Sequence, residues 1–321
     1  MKIKIAAFPD SLRKAGATTS APGSPPAIRR DYFTFAAMGQ KKLIRFEAIK
    51  SFPNVLQYPE GMAGQWAAFF TNGNPLTLEL ACGKGEYTVG LAEMYPQRNF
   101  LGVDMKGNRL YIGAKKCLDN KITNAAFLRT HIDKLPSYFR KGEVEEIWLT
   151  FPDPQLRKSR ATRRLTHPRF FRLYQQILQP GGRIHLKTDS PVLYQFTKWV
   201  AEMYHLAIAE DSADIHASPV IAMKKELAIR THYESLDIAQ SKKVHYLCLI
   251  LPEGPLPDRD AELLERIKNE EPTPPARVMR PPRIIAASGR KKGRQGQADQ
   301  GDLEDRTSGE TQTTDTDERD D

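Results

Sequence analysis

The sequence predicts an α/β fold: a mostly parallel, seven-stranded sheet with helices on both faces. Three observations carry that expectation. Apolar runs of strand length alternate with amphipathic stretches of helix length between residues 76 and 251, the pattern of strand–helix–strand crossovers. Runs such as "IWL" in the fourth strand and "YLCLIL" in the last are apolar at successive positions, as in strands covered on both faces. A glycine-bearing turn follows the first run directly, and open parallel sheets bind ligands just beyond the carboxyl ends of their strands.

The first strand is "LTLELAC" (76–82), and "EYTVGLAEMYP" after it reads as a helix ended by Pro96, because proline lacks the N–H that would continue the ladder. "NFLGVD" (99–104) gives a second strand, Gly107–Leu118 a helix and Ala125–Arg129 a third strand. A fourth, "EEIWLTF", ends at Pro152. A helix near Pro168–Leu178 stops at "QPGG", where a proline and two glycines oppose its continuation. "RIHLKTD" (183–189), a helix Pro191–Met203, a strand near Leu206–Ala209 and "VHYLCLIL" (244–251) complete the set.

With 321 residues, 40% of them apolar, the chain can bury one large core. Its ends read differently. Residues 1–37, rich in Ala, Pro, Ser and Thr, are expected to be a disordered extension or a mis-assigned start, with Met38 as the natural first residue. Residues 38–251 form the expected domain. Residues 252–321 are expected to be a disordered tail, Pro-rich and basic and then acidic, although Ala261–Asn269 has the composition of a short helix. The last 24 residues hold ten acidic side chains against two arginines, so the rest of the chain carries 46 basic and 29 acidic residues, a net of +17 rather than the +9 of the whole. That excess points to a polyanionic partner, since Lys and Arg gain by releasing counterions from phosphates. Three widely separated cysteines, Cys82, Cys117 and Cys248, indicate neither a zinc site nor a disulfide framework. No run of 18 apolar residues exists, so neither metal nor membrane is expected and the location expected is cytoplasmic.

The turn after the first strand reads Glu79-Leu-Ala-Cys-Gly83-Lys-Gly85-Glu86. Glycines at 83 and 85 let the backbone turn sharply and approach a ligand. Asp104 ends the second strand about 20 residues on, where a carboxylate accepts hydrogen bonds from ribose hydroxyls. Thr88 replaces the third glycine of a dinucleotide fingerprint, and the acidic Glu79 and Glu86 suit a sulfonium cation better than a diphosphate. S-adenosylmethionine is therefore the cofactor expected. After the third strand either His131 or Asp133 borders the adenine, with His131 favoured.

The fourth strand finishes in Phe151-Pro152-Asp153-Pro154, which holds a carboxylate between two residues of restricted backbone. Arg157, Lys158, Arg160, Arg163, Arg164, Arg169 and Arg172 follow within 16 residues, a density that reads as phosphate binding.

In this order, "LELACGKGE", "GVD", "FPDP" with its basic sequel, "LKTD" and "RTHYES" resemble the tRNA (guanine-N7)-methyltransferase family over about residues 38–251. The resemblance implies a Rossmann-like S-adenosylmethionine-dependent methyltransferase fold that modifies tRNA, at guanine-46 of the variable loop, as a monomer or homodimer. It implies that Glu79 and Asp104 hold the cofactor and that Asp153, which also meets it, is the central acidic residue; Gly83, Gly85 and His131 complete the expected cofactor set on their own positions in the turns. Arg157, Asp189, Thr231, His232, Tyr233 and Glu234 are implied to contact the substrate. Gln155 and Leu156 depart from the Trp and Lys that follow FPDP in many members, and His131 stands where a small acidic or amide residue is usual. Another Rossmann methyltransferase, an RNA-binding protein without chemistry and an NAD-dependent dehydrogenase are the rival readings, the last disfavoured by Thr88.

Overall fold

The computed structural model describes residues 40, 42–219, 223–232, 234 and 243–269. The expected N-terminal extension, Tyr233 and residues 270–321 of the expected tail lie outside the described residues.

Eight strands form one sheet: β1 (Val55–Gln57), β2 (Leu76–Leu80), β3 (Asn99–Asp104), β4 (Ala125–Arg129), β5 (Val144–Thr150), β6 (Leu178–Thr188), β7 (Ala207–Ser212) and β8 (His245–Ile250). Their order is β1-β4-β3-β2-β5-β6-β8-β7. The pairings from β1 to β6 are parallel, and β8 runs antiparallel to both β6 and β7. This is a Rossmann-like, mostly parallel sheet with one added edge. The helices are α1 (Trp66–Phe69), α2 (Glu86–Met94), α3 (Gly107–Asp119), α4 (Pro168–Tyr174), α5 (Pro191–Met203) and α6 (Asp260–Asn269).

Alternation along each strand sends side chains to two cores. Leu78, Leu80, Leu101, Val103, Ile147, Leu149, Ile184 and Leu186 pack on one face against α4, α5 and α6. Phe100, Phe127, Trp148, Tyr246 and Cys248 line the other with Tyr87 and Leu91 of α2 and Leu110 and Ala114 of α3. Burial from both sides is why β3, β4 and β8 are apolar at successive positions, while β2 and β6 put Thr77, Glu79, His185 and Lys187 on the second face.

Three boundaries differ from expectation. The sheet has an eighth strand, β1, three half-buried residues paired with β4 at the edge. α4 ends at Tyr174, and the "QPGG" turn is absorbed into β6, whose register on β5 shifts between Val144 and Glu146 while Gly181 adopts a φ of 75°. The core also does not end at Leu251. Leu256, Leu263 and Ile267 are buried, so residues 252–269, expected as the start of a disordered tail, pack on the domain and include α6.

Candidate active site

β2 and β5 lie side by side, yet the chain leaves β2 for β3 on one side and β5 for β6 on the other. That is the switch point at which parallel sheets open a crevice. Both strand ends are bent by a non-glycine residue in the left-handed region, Ala81 at φ 56° and Phe151 at φ 46°, a conformation costing on the order of 1–3 kcal/mol each and met most often at functional sites.

On the β2 side, Gly83 and Gly85 have φ of 58° and 73°. A Cβ on Gly85 would collide with the ring of Phe127, which is fully buried beneath the loop, so only glycine fits there. Asp104 braces the loop: Oδ2 accepts from Gly83 N at 3.0 Å and Oδ1 from Lys106 N at 2.7 Å. Each oxygen keeps a second lone pair for a ligand.

Glu79 is only 3% exposed. Its Oε2 accepts from Thr88 N (2.8 Å) and Thr88 Oγ1 (2.5 Å), and its Oε1 from Thr150 Oγ1 (2.7 Å). The carboxyl thus joins β2 to α2 and β5, and one lone pair on Oε1 remains. Burial pushes it up to about 7, against the lowering effect of the threonine hydrogen bonds.

Beyond β4, His131 is exposed and precedes a 3-10 turn at Ile132–Ser137 without capping it through its side chain. Asp133 is engaged by Arg169. Thr130, between β4 and His131, is buried with its hydroxyl unpartnered. Sequence reading passed over this residue; its position directly after the strand was the available signal.

On the β5 side Asp153 is exposed, and its Oδ1 accepts from Gln155 N at 3.0 Å in a local turn. Asp189 follows β6 on the same edge of the sheet.

A family model described as "Putative methyltransferase" matches residues 73–247. The tRNA (guanine-N(7)-)-methyltransferase of Porphyromonas gingivalis is 42% identical over 67% of this chain and 91% of its own length. That of Bacteroides thetaiotaomicron is 42% identical over 70% and 92%, and that of Listeria monocytogenes serotype 4a 31% identical over 63% and 92%. The chain belongs to the tRNA (guanine-N(7)-)-methyltransferase family. Among solved structures the 16S rRNA methyltransferase KamB matches with a TM-score of 0.45 and 15% identity, over 59% of this chain and 93% of that one, a likeness too distant to bear on the site.

The basic sequel to FPDP divides in this methyltransferase. Arg164 is 1% exposed, lies over the Phe196 ring at 4.4 Å, and donates to the carbonyls of Pro154 (3.2 Å) and Gln155 (3.3 Å). Arg172 forms a two-pronged pair with Asp260 of α6 at 2.8 and 2.9 Å, and Arg169 holds Asp133. Together with Lys158, four of the seven cations expected to meet phosphate therefore have structural partners. Lys158 donates to Lys268 O, and Arg157, Arg160 and Arg163 are exposed.

The late motif also docks on the sheet. Thr231 is buried and accepts at Oγ1 from Glu234 N, whereas His232 is exposed. Glu234 pairs with Lys187 of β6 at 2.9 Å. Sequence reading gave Lys187 no role, yet a lysine inside a strand buried on both faces was itself a signal. No helix among the described residues is long and apolar enough to cross a membrane.

Proposed function

We propose that the chain methylates N7 of guanine-46 in the variable loop of tRNA, using S-adenosylmethionine. The observation that carries this reading is the switch-point crevice, with a glycine loop braced by Asp104 on one wall and the exposed carboxylate of Asp153 on the other.

The residues present suit the cofactor. At Gly85 the loop lies against Phe127 with no room for a side chain. Asp104 has acceptors for ribose hydroxyls, the last lone pair of Glu79 suits an ammonium donor, and the exposed His131, next to the buried Thr130, is available to an adenine. When bound, S-adenosylmethionine supplies an electrophilic methyl group that guanine N7, which carries a lone pair and no proton, takes without a general base as the carbon–sulfur bond breaks.

The protein's work is alignment and electrostatics. Asp153 faces the purine as positive charge moves onto it, and accepts from the N1–H and N2–H₂ edge. Asp189 and the free oxygen of Glu234 serve the same edge, and Thr231 and His232 belong to that acceptor wall. Arg157, Arg160 and Arg163 hold phosphates, so tRNA affinity falls with salt.

The deciding experiment is nucleoside mass spectrometry of unmodified tRNA incubated with the protein and methyl-labelled S-adenosylmethionine, followed by mapping of the labelled position. Label in 7-methylguanosine at position 46 is the expected result. Label in another nucleoside would overturn the assignment.

A further inference from the structure

Lys187 is the one lysine among the fully buried side chains of largest volume, with no exposed surface. Its ammonium has three donors, and the structure uses all three: the carbonyls of Leu227 at 2.9 Å and Ile229 at 3.0 Å, and Glu234 Oε2 at 2.9 Å. Two rings flank it, Tyr87 of α2 at 5.3 Å and Phe151 at 5.5 Å. The backbone makes a further link, since Phe151 N donates to Lys187 O at 2.8 Å.

These contacts reach two stretches far apart in sequence. Phe151 is the bent residue that launches Pro152 and Asp153. Leu227, Ile229 and Glu234 belong to the segment bearing Thr231 and Glu234, whose own internal contact is the Glu234 N to Thr231 Oγ1 hydrogen bond. The segment crosses the sheet face with little regular structure besides a 3-10 turn at Lys225–Ala228. A purely structural role at such a place is better served by an apolar side chain, because burying an ammonium is costly unless every donor is matched.

We infer that Lys187 is a positioning residue for the methyl acceptor: one buried cation fixes the Leu227–Glu234 segment against Phe151, and so sets the spacing between the acceptor contacts of that segment and Asp153. The inference rests on the function proposed above. It also accounts for Glu234, one oxygen of which is held by Lys187 while the other is left for the substrate. Charge matters here as well as geometry. An unneutralised ammonium beside a purine that becomes cationic would oppose the reaction, and the pairing with Glu234 cancels it.

The test uses Lys187→Met, which keeps the unbranched chain and removes the charge and donors, and Lys187→Arg, which keeps a cation able to reach Glu234. For Lys187→Met the expected result is a loss of about 10- to 100-fold in kcat/KM for tRNA, as misplacement by about an ångström produces, with Kd for S-adenosylmethionine within about twofold of wild type. Hydrogen exchange should accelerate in residues 223–232 and stay unchanged in β2 and β3. Lys187→Arg should recover part of the lost kcat/KM. Wild-type kcat/KM in Lys187→Met would overturn the inference, and so would exchange rising throughout the sheet together with loss of cofactor binding in both variants. If the wild-type protein forms no 7-methylguanosine, the proposed function itself fails; if it does and Lys187→Met matches it, only this inference fails.

Discussion

The guanidinium of Arg164 donates from Nε to the carbonyl of Pro154 at 3.2 Å, directly beneath the turn that presents Asp153. A residue that belongs to a basic cluster in sequence is thus a buried strut in space. It holds a stretch bounded by two left-handed non-glycine residues, Phe151 and Gln155, a backbone that persists only when its surroundings fix it.

Arg163 and Arg164 are therefore expected to behave in opposite ways. Arg164→Ala should destabilise the protein by roughly 1–3 kcal/mol, the penalty for stranding buried carbonyls, and lower kcat without changing the salt dependence of tRNA binding. Arg163→Ala should leave stability alone, weaken tRNA binding and reduce the salt slope by about 1. Thermal denaturation and binding isotherms at several salt concentrations separate the two.

Asp153→Asn should keep the local turn and lose the charge. A fall in kcat on the order of 10²–10³ is expected, with Kd for S-adenosylmethionine unchanged by calorimetry. Unaltered turnover would remove Asp153 from the chemistry.

Glu79 gives the site a pH dependence. Because burial raises its carboxyl to about 7, the folded protein takes up a proton there at pH values where the unfolded chain does not. The stabilisation from that proton is complete below the ordinary glutamate range and lost as pH rises through about 7. Cofactor affinity runs the other way, since a cationic ligand favours the ionised carboxylate. Kd for S-adenosylmethionine should be weaker at pH 6 than at pH 8, and Glu79→Gln should flatten the difference.

The Arg172–Asp260 pair should contribute to stability and not to RNA binding. Asp260 also accepts from Tyr204 OH at 2.6 Å, which ties α6 to both α4 and the end of α5. A double-mutant cycle with Arg172→Ala and Asp260→Ala should give a coupling of about 1 kcal/mol, as for a partly exposed pair, while tRNA affinity in Arg172→Ala keeps the wild-type salt slope. Asp260 is held below its ordinary value by Arg172, so its contribution persists above that ordinary value and disappears as pH falls through the lowered one.

β3, β4, β5 and β8 were legible because burial on both faces writes successive apolar residues into the sequence, and β2 and β6 because apolar residues recur there at every second position. β1 was not, since three half-buried edge residues leave no such run. "QPGG" looks like a helix stop by local rules, and pairing with β5 overrode them. At the candidate site, Gly83, Gly85, Asp104 and Asp153 stand where strand ends and turn chemistry placed them. The basic cluster was misjudged in part, because charge density along a chain does not tell which guanidinium faces solvent and which, like Arg164, turns under a loop to find carbonyls. Lys187 depended on contacts 40 to 47 residues away in sequence, which no local pattern encodes.

Ala81 and Phe151 stand at the ends of adjacent strands, each in a backbone shape its side chain resists. An engineer seeking a hardier protein would find glycine or asparagine at these two corners an attractive substitution, because relief of the strain raises the melting temperature. The same change would loosen the bend from which Pro152 and Asp153 depart, so heat resistance gained there is expected to come with slower turnover.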